Sequence, residues 1–379
     1  MATKTIGIIL NGATGRICST QHLQNSLAPI CAEGGLASGD DRIVPRILLV
    51  GRNNEKLEEV AKAHNVTEWT TDLDAALADP DFSIFFDAAA THLRLKTLHR
   101  AIEAGKHIYT EKPVAPSIEE GRALIRAAEA RGLKHGAVED KVYLPGMQKL
   151  AHLNKIGFFG RVTGFRLEFG WWVFDGTDTV PQRPSWNYKK AGGGGLALDM
   201  FPHWRYVVEG LVGRIDSIVA GAWTAIPERI DESGERYKVD VDDSVATLVR
   251  LENGAFGTIV SSWAARARND DLLILHIDGT HGSARAGLHR CHIQSTAQTP
   301  RITGWNVNTD LNNDYAGQWS LAPDFGPYKN PYRYGWEGFL RHVVDGAPFN
   351  SSLAAGVRDV QLAEACYLSN AERRWVTLD

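Results

Sequence analysis

Short apolar runs alternate with helical patterns through the first third of the chain. Thr5–Leu10, Arg46–Val50, Ser83–Ala88, His107–Thr110 and Lys134–Val138 read as strands, and Asn54–His64, His92–Ala104 and Ile118–Arg131 carry apolar positions at helical spacing. Alternation at this pitch predicts an α/β domain, a doubly wound parallel sheet with helices on both faces. Residues 24–42, polar and glycine-bearing, read as an insertion before the second strand.

Past residue 140 the pattern turns to longer strands: Arg161–Val173, Ser217–Thr224, Ser244–Leu251, Ala255–Trp263 and Leu272–Asp278. Asn253-Gly254 predicts a hairpin with a type I′ turn. This half reads as an α+β domain on a large, mostly antiparallel open sheet, with helices returning at Trp336–Val344 and Ser352–Arg374. The expected division is 1–137 and 138–379.

Composition narrows the function classes. A hydrophobic fraction of 44% with 23% charged residues is that of a globular chain with a full core. The net charge is −4 and the basic residues are scattered, so neither nucleic acid nor a membrane is an expected partner. Cys18, Cys31, Cys291 and Cys366 form no C-x-x-C pair, which predicts no disulfide framework or zinc site and a reducing compartment. The N-terminus becomes a strand too soon for a signal peptide, and no apolar run approaches the ~18 residues of a membrane span, so the cytoplasm is expected. His281, His289, Cys291 and His292 match no structural zinc spacing, and no metal is expected.

Three clusters carry candidate chemistry. The first strand runs into Gly12-Ala13-Thr14-Gly15-Arg16-Ile17, where backbone N–H groups at a helix start suit a pyrophosphate. The three-glycine fingerprint is short of one glycine, and an ordinary strand-to-helix turn fits the same residues. The next strand ends Gly51-Arg52-Asn53 without a carboxylate; Arg52 suits a ribose 2′-phosphate and Asn53 a plain ribose, so NAD and NADP both remain open. In the second cluster Glu111-Lys112-Pro113 follows a parallel strand, setting a lysine at the edge where such sheets bind ligands. The third, Gly192 to His203, places Asp199 and His203 at i and i+4 if a helix begins near Asp199, with Pro202 then in its first turn. A carboxylate beside an imidazole suits a general base, and an N-cap aspartate above a packed histidine is the plainer reading.

Together the glycine turn, A-G-K-H-I-Y-x-E-K-P and G-G-G-x-x-x-D-x-x-x-H resemble the Gfo/Idh/MocA oxidoreductase family over nearly the whole chain. The resemblance implies a Rossmann dinucleotide-binding domain followed by a substrate-binding and oligomerisation domain. It implies hydride exchange between a nicotinamide and a CH–OH of a sugar, cyclitol or glycoside, C3 of a glycosyl unit among the options. Lys112, Asp199 and His203 would form the catalytic group, and Ala90, Thr91, Glu111 and Lys112 would border the cofactor. The usual Thr-Pro after the third strand is replaced by Ala89-Ala90-Thr91-His92. Lys141 and Tyr143 stand where the family has Arg-Phe-x-Pro, and are candidates for the substrate pocket. Trp172, Arg183, Trp186, Asn187 and Tyr188 suit a carbohydrate lining, aromatic faces against C–H and polar groups for hydroxyls. By analogy a homo-oligomer, dimer or tetramer, is expected. Two other classes stay open: a glycosidase acting by transient oxidation with bound NAD, and a non-catalytic dinucleotide sensor.

Overall fold

A strand with both faces covered needs apolar side chains at every position, because alternate residues point to opposite sides. The computed structural model describes residues 2–89, 91–266, 271–300 and 314–378. It divides into two units, Met1–Tyr143 with Lys329–Gln361, and Leu144–Tyr328 with Leu362–Asp379. In chain order its α-helices are α1 (Ala28–Ala32), α2 (Asn54–Ala63), α3 (Leu73–Ala78), α4 (Thr91–Glu103), α5 (Ile118–Glu129), α6 (Pro145–Lys155), α7 (Leu196–Leu211), α8 (Pro331–Asp345) and α9 (Leu353–Glu372).

In the first unit β1 (Thr3–Asn11) lies between β3 (Asp41–Val50) and β5 (Phe82–Asp87), followed outward by β6 (His107–Thr110) and β7 (His135–Ala137), all parallel. β2 (Leu36–Ser38), antiparallel, and β4 (Glu68–Thr70), parallel, share the outer edge of β3. Strand order therefore reverses at β1, whose carboxyl end is the switch point where such sheets take ligands. Ile8 and Leu10 enter one core with Leu23, Phe86, Trp336 and Phe339, and Ile9 enters the other with Phe85, Leu98, Ile108 and Leu124. Residues 24–42 are no loop insertion. A π-helix, Ile17–Leu27, leads into α1 and then β2, which adds an edge hairpin to β3. Residues 329–361 return to this unit because Trp336, Phe339 and Leu340, one face of α8, are buried in its core.

The second unit is built on a nine-stranded sheet. Its order is β17 (Ser320–Leu321), β16 (Cys291–Ser295), β15 (Gly282–Ala286), β14 (Leu273–Gly279), β8 (Val162–Gly170), β13 (Phe256–Ser262), β12 (Ser244–Leu251), β9 (Ile215–Trp223) and β18 (Val376–Thr377). β8 and β13 are parallel and the remaining neighbours antiparallel. β10 (Glu228–Ile230) and β11 (Arg236–Lys238) form a separate hairpin. Phe165, Leu167 and Phe169 of β8 are buried while Arg166 and Glu168 between them are exposed, the alternation of a sheet with one covered face. α7 packs on the covered face: Trp204 lies 5.1 Å from Phe169 and donates its Nε1–H to Ser261 Oγ at 2.7 Å.

The β12–β13 turn differs from the expected type. A type I′ turn needs positive φ at both central residues, and of Asn253 and Gly254 only Gly254 has it, at +83°. Leu251 N–H bonds Ala255 O at 2.9 Å, closing a three-residue loop in which glycine alone takes the left-handed position. α7 also begins a turn earlier than expected, at Leu196, so Pro202 sits inside the helix rather than in its first turn.

Candidate active site

The glycine turn is shaped by close backbone packing. Gly12 N–H and Ala13 N–H both bond Val50 O, at 3.0 and 3.1 Å, and Gly15 N–H closes the turn on Gly12 O at 2.9 Å. Gly12 has φ +82°, and a Cβ there would lie 2.7 Å from Ala89 N, so only glycine fits. Arg16 is exposed at the mouth of the π-helix, directly after the turn. The turn forms without the third glycine of the fingerprint: Cys18, at that position, is fully buried in the core. At the end of β3, Asn53 caps α2 by accepting from Lys56 N–H at 2.9 Å, which engages its side-chain oxygen, while Arg52 is exposed. Thr91 begins α4; Ala90 lies outside the described residues.

Behind the turn lies a buried polar network that sequence reasoning missed. Asp87, at the end of β5, is fully buried and accepts from Asn11 Nδ2 at 2.7 Å, Arg94 Nε at 3.1 Å and Thr97 Oγ1 at 3.2 Å. Burial pushes its carboxyl above the ordinary range despite these donors. Arg94 also donates to Pro113 O at 2.8 Å and Ala89 O at 3.1 Å, tying the E-K-P turn to the loop after β5. Glu111 is buried and accepts from Lys112 N–H at 3.1 Å and from His22 Nε2 at 2.9 Å. Lys112 is half-buried beside it. Lys141 Nζ pairs with the buried Asp140 at 2.5 Å, and Tyr143 stacks on Tyr334 at 5.7 Å.

In the second unit α7 carries Asp199 and His203 one turn apart. Its N-terminus is capped from a distance: Asp242 Oδ2 accepts from Ala197 N–H at 2.8 Å and Asp242 O from Leu196 N–H at 3.0 Å. Tyr367 Oη donates to Asp242 Oδ1 at 2.7 Å, and burial still raises that carboxyl above its ordinary value. Gly195, with φ +129°, is glycine because a Cβ would meet Tyr367 Oη at 2.6 Å. The cap role is thus filled by Asp242 and Gly195, and Asp199 lies in the helix proper. Its Oδ2 pairs with Arg183 Nη2 at 2.7 Å. The buried His203 sets Nδ1 2.7 Å from Tyr206 Oη, a partner readable at i+3 on the same helix.

Arg183 is positioned by aromatic faces, 5.7 Å from the Phe174 ring and 5.6 Å from that of Trp263. Tyr188 is fully buried; it donates to Phe174 O at 2.7 Å, and Arg229 lies 4.4 Å over its ring. Arg229 pairs in turn with the buried Asp243 at 2.8 Å. Asn187 is also buried, its carbonyl accepting from Gly195 N–H at 2.9 Å. Trp172 and Trp186 are about half exposed, at 53% and 51%, and Trp172 lines a cavity with Asp175, Asp178 and Arg266. Among the described residues no group of three or more His, Cys, Asp and Glu side chains is placed to hold a metal, and no helix is long and apolar enough to cross a membrane.

Residues 12–137 match the oxidoreductase family's NAD-binding Rossmann fold, and residues 147–285 match the GFO/IDH/MocA C-terminal domain. The chain is 44% identical to D-xylose dehydrogenase of Paenarthrobacter nicotinovorans, covering 99% of this chain and 98% of that one. It is 28% identical to levoglucosan dehydrogenase of Pseudarthrobacter phenanthrenivorans over 87% of this chain and 89% of the other. The solved structure of levoglucosan dehydrogenase in complex with NADH and L-sorbose superposes with a TM-score of 0.80 at 25% identity, over 99% of each chain.

Proposed function

The chain belongs to the Gfo/Idh/MocA oxidoreductase family, and from that premise we propose how its residues carry hydride transfer between a nicotinamide dinucleotide and a sugar CH–OH. It is an NAD-dependent sugar dehydrogenase. Our reading of the substrate is a free aldose, D-xylose first. The observation that carries it is the 44% identity to a D-xylose dehydrogenase across both halves, with Lys112, Asp199 and His203 at the family's motif positions.

A bound nicotinamide dinucleotide supplies the hydride acceptor at C4 of its ring. The turn from Gly12 to Gly15 would lie against its pyrophosphate, with the exposed Arg16 adding a positive charge at the helix start. His203 takes the hydroxyl proton at Nε2 in the tautomer whose Nδ1–H donates to Tyr206 Oη, 2.7 Å away. Lys112 donates to the reacting oxygen as negative charge develops there. Asp199, held by Arg183, accepts from a neighbouring hydroxyl. The lack of a carboxylate after β3, with Asn53 engaged as a cap and Arg52 exposed, supports acceptance of NADP alongside NAD.

Trp172, Trp186 and the cavity beside Trp172 favour a second reading, a glycoside whose aglycone rests on this segment and whose sugar is oxidised at C3. We also propose a homo-oligomer. Trp223, Leu248, Phe256 and Val260 are exposed on the uncovered face of the nine-stranded sheet, an apolar surface suited to a second copy.

The test is a screen of D-xylose, other aldoses and glycosides with NAD and with NADP, following reduced nicotinamide and products together. Accumulation of reduced cofactor with a free aldose supports the first reading. Oxidation confined to glycosides favours the second. Aglycone release without net reduction would point to the glycosidase class, and no transfer with any sugar to a sensor.

A further inference from the structure

The E-K-P lysine is held by a relay that starts far away in the chain. His22 lies on the π-helix, is fully buried, and places Nε2 2.9 Å from Glu111 Oε1. Its other nitrogen, Nδ1, faces Trp336 Nε1 of α8 at 3.0 Å. An indole N–H donates and never accepts, so Nδ1 must be the acceptor nitrogen and the ring proton must sit on Nε2. The tautomer is therefore dictated by Trp336, and the proton is aimed at the carboxylate. Phe86 and Tyr332 pack the ring at 4.2 and 5.1 Å between centroids, which prevents it from flipping to the other arrangement.

Glu111 passes the restraint on. Its Oε1 receives His22, and its Oε2 receives the backbone N–H of Lys112 at 3.1 Å. Burial alone would raise this carboxyl, but the His22 bond with the nearby charges of Lys112 and Arg94 outweighs burial and holds it below the ordinary range. The result is a buried carboxylate with both oxygens engaged. We infer that His22, oriented by Trp336, is a positioning residue for Lys112. It also joins the helix that follows the glycine turn to the turn that bears the lysine, so cofactor cradle and lysine move as one body. A π-helix closes its hydrogen bonds one residue further on than an α-helix, a form frequent at functional sites, and here His22 is on it.

The inference rests on the proposed role of Lys112, and the experiment separates the two. The variants are Lys112→Met, His22→Leu, His22→Gln and Trp336→Phe, assayed with the sugar found active. A misplaced lysine is expected to lower kcat on the order of 10–100-fold in His22→Leu, with the KM for cofactor little changed. His22→Gln, whose amide both accepts and donates, is expected to recover most of that loss, and Trp336→Phe to lose several-fold. Nitrogen NMR of labelled histidine should report His22 in the wild type as the Nε2–H form, and in Trp336→Phe a mixture with Nδ1–H. Wild-type kcat in His22→Leu, or no recovery in His22→Gln with the fold intact, overturns the inference; an Nδ1–H or doubly protonated His22 in the wild type does so too. Should His22→Leu not fold, the NMR spectrum and the Trp336→Phe rate decide. Full activity in Lys112→Met would instead overturn the role of Lys112, whatever His22 does.

Discussion

The surroundings of Glu111 and the segment leading into α7 both hold candidate site residues in place, by different means. Around Glu111 the restraints are buried and come from regular elements: His22 of the π-helix bonds Glu111, Trp336 of α8 bonds His22, and Arg94 of α4 bonds Pro113 O in the same turn. Ahead of α7 the chain forms only short 3₁₀ turns, Trp172–Phe174, Ser185–Tyr188 and Lys190–Gly192. It is pinned there by Arg229 on Tyr188 and by the aromatic seat of Arg183. Backbone presented by packed elements keeps fixed spacing, which suits a ligand of constant shape. A loop pinned by a few side chains can be re-aimed by few substitutions, which suits selection among sugars.

The contrast can be broken most severely at His203. His203→Ala is expected to cut kcat by about 10²–10⁴, with cofactor affinity measured by nicotinamide fluorescence unchanged. Equal loss of cofactor binding would mean the two regions are not separable. Next, Arg229→Met leaves Asp243 charged and buried without its guanidinium, at a cost of about 3–5 kcal/mol in thermal or denaturant unfolding. Stability like the wild type would show the loop is held by something else. Gly12→Ala, forced into positive φ against Ala89, is expected to weaken cofactor about tenfold, or 1.4 kcal/mol, in a binding titration while sparing the KM for sugar.

Arg52→Ala should weaken NADP several-fold and NAD little, and equal effects would remove the reason to expect NADP. The smallest effect is in acid. Glu111 has its folded value below the unfolded one, so its contribution is complete above about pH 4.3 and is lost as pH falls through the folded value. Glu111→Gln removes that dependence, and acid unfolding of the variant should be less steep than that of the wild type. An identical slope in the two proteins would show that folding leaves the Glu111 carboxyl unshifted.

The strands of the first sheet were legible because both faces are buried and the apolar runs are continuous, and His107–Thr110 agrees to the residue; in the second sheet Ser244–Leu251 does so too, from the alternation of a strand with one covered face. The placements were legible from spacing: Lys112 just past β6, and Asp199 and His203 one turn apart on α7. What stayed hidden depends on distance in sequence. The His22–Trp336 bond joins residues 314 apart, and the Asp242 cap on α7 reaches across 45. No local pattern records either. The π-helix escaped because helical periodicity presumes 3.6 residues per turn, and a wider coil puts His22 off that register. Tyr188 read as a carbohydrate platform because an aromatic residue in a polar stretch carries no sign of whether its face is taken, here by Arg229.

The return of residues 329–361 to the first sheet has a genetic consequence. A gene fragment ending at Tyr143 encodes that sheet without its cover. Phe86 and Tyr109, packed on Trp336 at 5.1 and 5.0 Å, would face water, and Tyr109 would lose the ring of Phe339 stacked at 4.7 Å. The nucleotide module is not a cassette that one recombination crossover can move. Transplanting it takes two exchanges, or a permuted chain that splices the segment from Lys329 to Gln361 directly behind Tyr143.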